Sequence, residues 1–224
     1  MRLRVLTLLL LSIPVLAACN SGRTYPSNKG DDEYDLAAMA LRETDMPRGF
    51  TAQPIDDASF DNERWANEVF DTSDPEAKQA QLDAQGRLTN HVAAFAPPGL
   101  GKILSITAVS TLYTNEKAAE EAIDRFACGL PIDEKTPLTP FITPKIADQS
   151  TGFFVTQDSG SGLTFIDTTM CFRTGRIVHA FQQTSLPGVE DIAAAVRLAD
   201  RWLVHIDAAF DGKAEPAPEE TGTP

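Results

Sequence analysis

Cysteine and histidine are scarce in this chain of 224 residues, three of each. No two of the histidines, His91, His179 and His205, lie three or four positions apart, so a helical zinc motif is absent. Cations are short as well. Lysine and arginine number 19 against 32 aspartates and glutamates, a net charge of −13. Phosphate binding needs clustered cations, which excludes nucleic acid as a partner. After residue 18 no apolar run is long enough to span a bilayer. There is no Gly-x-Ser-x-Gly elbow. The nearest string, Ser159-Gly160-Ser161-Gly162, reads as a hairpin loop, and no Lys-Ser or Lys-Thr pair follows it to make a phosphate cradle. Asp31-Asp32-Glu33 with Asp35 lacks the spacing of a calcium loop and reads as a solvated acidic run. Glu120 and Glu121 sit side by side on a predicted helix surface, where paired charges are ordinarily wet. No catalytic set, metal site or cofactor motif emerges, and the expectation is a protein that is not an enzyme.

What is present starts at the N-terminus. Arg2 and Arg4 precede an apolar run from Leu6 to Leu16, and small residues Ala17 and Ala18 follow. That is the layout of a secretory signal peptide over residues 1–18, which takes no part in the fold. Leu16-Ala17-Ala18-Cys19 resembles the lipobox of bacterial lipoproteins. The resemblance implies that Cys19 becomes the first mature residue and carries diacylglycerol and palmitate. One acyl chain holds a protein only weakly, at roughly 0.8 kcal/mol per buried methylene, whereas two or three hold it stably. The expected place is therefore the outer face of the cytoplasmic membrane, or the periplasm or outer membrane in a diderm host. The membrane is a partner through Cys19 alone. Removing residues 1–18 takes away two cations and no acid, leaving 17 against 32, a net charge of −15. So acidic a body should be repelled by anionic head groups and stand off the membrane.

Residues 19–34 are polar and rich in turn formers, as a flexible tether would be, and 212–224 have too little apolar bulk to order. Hydrophobic residues make up 42% of the chain, enough for one core in a single domain over 35–211. Asp35 is placed to cap a short helix through Leu41. Ser59 is placed to cap a second helix carrying Phe60, Trp65 and Val69 or Phe70. Asp74-Pro75-Glu76 opens a third, closed at Gly86. Alternation then predicts strands at 88–95 and 102–113. Asn115 caps a helix over 116–127, and strands follow at 152–156, 163–172 and 176–184. A last helix runs over 190–210, with Ile192, Val196, Ala199, Leu203, Ile206 and Phe210 on one stripe and Arg197, Arg201 and His205 on its solvated side. His179 alternates with Ile177 and Phe181, which makes it an inward, hydrogen-bonded strand residue. The class predicted is α+β: an antiparallel sheet of about five strands with helices packed on one face.

With Cys19 taken by lipid in an oxidising compartment, Cys128 and Cys171 form an even pair and are expected as a disulfide. Closing a loop of about 44 residues contributes about 4 kcal/mol on the chain-entropy account. Redox-active pairs usually stand two residues apart, so this one reads as structural.

Asp45-Met46-Pro47-Arg48-Gly49-Phe50 and the stretch 144–210, with Cys171-Phe172-Arg173-Thr174-Gly175-Arg176-Ile177-Val178, resemble a broad group of bacterial surface lipoproteins. The order of strand, Asn-capped helix, hairpins and terminal helix also resembles the extracellular sensor-type domains of actinobacterial surface kinases. These resemblances imply a non-catalytic module that binds or senses a ligand or a protein partner. Two other expectations stand beside it. One is a carrier that holds a small apolar ligand between helices and sheet, prompted by Phe153, Phe154, Phe165, Phe172 and Phe181. The other is a hydrolase with an unfamiliar site.

Overall fold

The computed structural model describes residues 23–214, apart from 57, 71, 100, 134 and 159–161. The expected signal peptide, Cys19 and residues 215–224 lie outside them. Among the described residues there are four α-helices and one antiparallel sheet, so the mixed class holds. The sheet has eight strands, not about five: β1 (Thr51–Gln53), β2 (Ser59–Asp61), β3 (Arg87–Ala96), β4 (Ile103–Tyr113), β5 (Leu138–Pro140), β6 (Gln149–Asp158), β7 (Thr164–Thr174) and β8 (Ile177–Ser185). Their order is β1-β3-β4-β8-β7-β6-β5, with β2 also paired to β3. The five long strands are the predicted ones. The other three have three residues each and lie at the edges, where backbone pairing to a formed neighbour decides the conformation.

Helix α1 is Asn62–Glu68, α2 is Pro75–Ala84, α3 is Glu116–Arg125 and α4 is Ile192–Phe210. Each starts on a side chain that accepts an otherwise unpaired N–H. Asp74 takes that of Ala77 (3.0 Å), Asn115 that of Ala118 (2.9 Å) and Asp191 that of Ala194 (2.8 Å). Ser59, the expected cap of the second helix, belongs to β2 instead. Asp61 does the capping, accepting from Arg64 N–H at 2.8 Å. The predicted helix after Asp35 is a single turn, in which Asp35 accepts from Ala38 N–H.

Helices cover both faces of the sheet, not one. Alternate residues of β8 separate the layers. Ile177 and Phe181 join Met170, Phe172, Ile106 and Ala108 under α4, while Val178 and Ala180 join Cys171 and Val109 under α1 to α3. β8 is buried on both sides along most of its length, and its first half is apolar on both faces through Ile177, Val178, Ala180 and Phe181. Trp202, 1% exposed, centres the α4 layer, with its edge against Phe172 and its Nε1–H donated to Met39 O at 2.7 Å. The α4 stripe is broader than predicted. Ala195, Leu198, Ala199, Trp202 and Ile206 are buried, and Val196, Leu203 and Phe210 flank them.

The expected tether is packed over its described part, 23–34. Tyr25 and Tyr34 are buried against Phe210, and Arg23 donates to Asp211 at 2.6 Å. Arg176, in the turn between β7 and β8, lies over the Tyr34 ring and donates to Asp31 and to Lys29 O. Two aromatic rings among the turn formers give this segment the apolar area to offset its ordering.

Candidate functional site

A half-open cleft of about 310 Å³ lies on the disulfide-bearing side. That is at the lower end of the range for small-molecule sites. One wall is α2, through Lys78, Gln81, Leu82 and Gln85; the other is the chain from Arg125 to Leu138. The second wall exists because the chain reverses sharply after α3. Ala127, Cys128 and Gly129 are all left-handed, with φ of 45°, 64° and 74°. An L-residue there costs roughly 1–2 kcal/mol, so two in a row need outside support. The Cys128–Cys171 disulfide supplies it, tying the turn to β7, and the expected pairing is present at disulfide distance. Gly129 completes the turn where a Cβ would come 2.5 Å from Tyr113 Oη. That phenol is itself pushed up to about 12 by burial.

Phe70, Leu82, Phe126, Leu130, Ile132 and Leu138 give the cleft its apolar walls. Two cations are among its lining residues, each over an aromatic ring. Lys78 Nζ lies 4.2 Å from the Phe70 ring centre and the Arg125 guanidinium 5.7 Å from that of Phe126. Lys78 also donates to Gln81 at 2.9 Å, and Asp133 is the acid among the lining residues. In a chain of net charge −13, this is a local excess of positive charge beside an apolar hollow. The α2 wall was legible as a helix and Arg125 and Phe126 as the end of another, but the wall that follows them comes from a segment without periodicity.

The histidines fall in three settings. His179 is fully buried, with Nδ1 2.9 Å from Ser110 Oγ and Nε2 2.9 Å from Thr174 Oγ1, as its alternation predicts. Burial with no charged partner pulls it down to about 3, so the ring is neutral. Ser110 and His179 have no route to solvent. His91 contacts Ser59 Oγ at 3.3 Å on the exposed edge of the sheet. His205, expected to be solvated, instead has Nε2 within 3.0 and 2.9 Å of the two Asp45 carboxylate oxygens, while Arg201 donates to Asp45 O at 2.7 Å. This docks the Asp45–Phe50 turn on α4.

Two buried charges gave no sequence signal. Arg87, 2% exposed, stacks on Trp65 and donates to Asn62 Oδ1, and Asn62 in turn donates to Asp83 at 2.6 Å. Burial lowers its guanidinium to about 10. Asp167 accepts from Thr184 Oγ1 at 2.7 Å and from Gln157; burial raises its carboxyl, and the two bonds partly pull it back. Both side chains are buried, and Arg87 lies at the base of a second, more open hollow shared with Asn62 and Asp83.

Cys19, the expected lipidation site, lies outside the described residues, as do Ser159, Gly160 and Ser161 of the glycine-serine loop. The expected acidic run is used structurally: Asp31 pairs with Arg176 at 2.5 Å, Glu33 accepts from Gly30 N–H and Asp35 from Ala38 N–H. Among the described residues no group of three or more His, Cys, Asp or Glu is placed to hold a metal. No helix among them is long and apolar enough to cross a membrane. The five phenylalanines that prompted the carrier reading do not form one surface. Phe172 and Phe181 lie under α4, Phe153 lies on the other side, and none of the five lines the cleft. No protein-family model matches the chain, and neither a curated protein nor a solved structure matches it.

Proposed function

We propose that this protein is a lipid-anchored, extracytoplasmic, non-catalytic binding module whose ligand sits in the cleft between α2 and the 126–138 segment. The observation that carries the reading is the cleft itself, lined by six large apolar side chains and by two cations, Lys78 and Arg125. Such a hollow fits a small amphipathic molecule with an apolar body and an anionic head, because the walls bury the body while Lys78 and Arg125 face the head. The anchor is read from the lipobox-like Leu16-Ala17-Ala18-Cys19.

The test uses 1-anilinonaphthalene-8-sulfonate, an aromatic sulfonate whose emission rises in apolar surroundings. The folded protein should bind it saturably. Arg125→Glu, which reverses a lining charge, should weaken binding about tenfold, the size of one exposed charge contact strengthened by a partly desolvated site. Thr136→Trp, which fills the cleft, should abolish it. Unchanged binding in both variants would remove the cleft as the site.

A further inference from the structure

Because residues 23–34 are part of the folded body, an anchor at Cys19 cannot be a long leash. We infer that the C-terminal end of α4, with the strap docked on it, is the surface that faces the lipid head groups. This inference rests on the anchored reading and adds an orientation to it.

The strap is fixed at several points along its length. Arg23 pairs with Asp211 at 2.6 Å and lies 3.6 Å from Asp207, and Tyr25 Oη donates to Asp207 at 3.0 Å. Tyr34 Oη donates to Pro26 O at 3.0 Å and lies beneath the Arg176 guanidinium, 4.7 Å from its ring centre. Pro26 O approaches so close to Gly175 that a Cβ there would lie 3.1 Å away. These contacts hold Arg23 at one end of the molecule, beside Phe210 and the turn between β7 and β8. Only four peptide units separate Cys19 from Arg23. Fully extended they reach about 14 Å, whatever their conformation. The thioether-bearing residue therefore lies within about 14 Å of the Arg23 Cα, whose side chain is paired to Asp211 at the end of α4.

The opposite pole is set by the same topology. β8 runs from the turn at Gly175 to Ser185, and α4 returns over 19 residues, about 28 Å. At that far pole lie the connection after β8 and the β6–β7 loop, where Leu186 and Leu163 are 44% and 58% exposed. The near end carries Asp31, Asp32, Glu33, Asp207 and Asp211 against Arg23, Lys29, Arg176 and Lys213. That balance gives no attraction to anionic lipid, so the end rests at the head groups because the short link holds it there. A free tether would let either pole approach the bilayer. The docked strap admits one.

The experiment uses the full lipidated chain reconstituted in phosphatidylcholine vesicles doped with an acceptor-labelled lipid. A donor dye is placed through Lys213→Cys at the near end or Leu163→Cys at the far pole. Energy transfer from the Lys213→Cys position should exceed that from the Leu163→Cys position about twofold or more, given some 30 Å of separation along the sheet. Equal transfer from both positions overturns the orientation. Incorporation of labelled palmitate, measured on the same preparations with Cys19→Ala as control, reports the anchor separately. Label in the wild type with equal transfer defeats the orientation alone. No label in the wild type defeats the anchored reading, and the orientation goes with it.

Discussion

The His179 ring lies between two hydroxyls, against Phe172 and Trp202, with no carboxylate near it. It is neutral in the fold and titrates near 6.5 once exposed, so below that pH unfolding takes up a proton. Its burial is therefore free of penalty above about pH 6.5 and costs progressively more as pH falls toward 3, by about 1.4 kcal/mol for each pH unit. Urea titrations at pH 7 and pH 5 should show wild type losing about 2 kcal/mol more between the two than His179→Gln. Equal losses would mean the ring is charged in the fold. The inward placement of His179 was legible because alternation in a strand is local information. The contact of His205 with Asp45 was not, because its partner lies 160 residues away and helix periodicity reports only which side of α4 a residue occupies. Arg87 and Asp167 were hidden for a related reason. A charge in a strand is assigned outward by default, and only the layer above it shows that it is covered.

Capping made α2 and α3 legible, since Asp74 and Asn115 act on N–H groups three residues along, whereas α4 was legible from its apolar stripe and Asp191 supplies its cap. The short edge strands β1, β2 and β5 carry no pattern of their own; β1 and β5 are exposed along their whole length. Phe60, buried at the centre of β2, was assigned to a helix because Ser59 before it is a residue type that caps helices. Gly86, between α2 and β3, was read correctly as a stop, and the structure adds why no other residue serves. Its φ is 73°, and a Cβ would lie 2.7 Å from Thr114 Oγ1 and 3.0 Å from Ala118 Cβ. Gly86→Ala combines left-handed strain with a clash. It should reduce the unfolding free energy by about 2–3 kcal/mol in urea titration while leaving far-ultraviolet circular dichroism unchanged. A loss under about 0.5 kcal/mol would show that the turn relaxes freely.

Across the whole molecule, the disulfide joins the strained turn after α3 to the centre of β7, closing a separation of 43 residues. Both cysteines are at most 1% exposed. Reduction of the folded protein should consequently be slow, and Cys128→Ala/Cys171→Ala should be less stable than wild type by about 3–4 kcal/mol. The check is the denaturant midpoint of both proteins without reductant. Coincident midpoints would leave the left-handed turn supported by packing alone. The two-sided burial of the sheet was the main feature missed at this scale. Its signal was present in Ile177-Val178 and Ala180-Phe181, which are apolar on both parities, but reading β8 by period two discards the second face.

The blunt rims of the sheet matter wherever copies of the chain meet at high concentration. One rim ends in a three-residue strand containing Pro140, and the other is shared between two strands equally short. Neither offers the long row of free N–H and C=O groups on which a neighbour could continue the ladder. Crowded copies would meet through side chains and charge repulsion, and the fold carries its own protection against growing into fibrils.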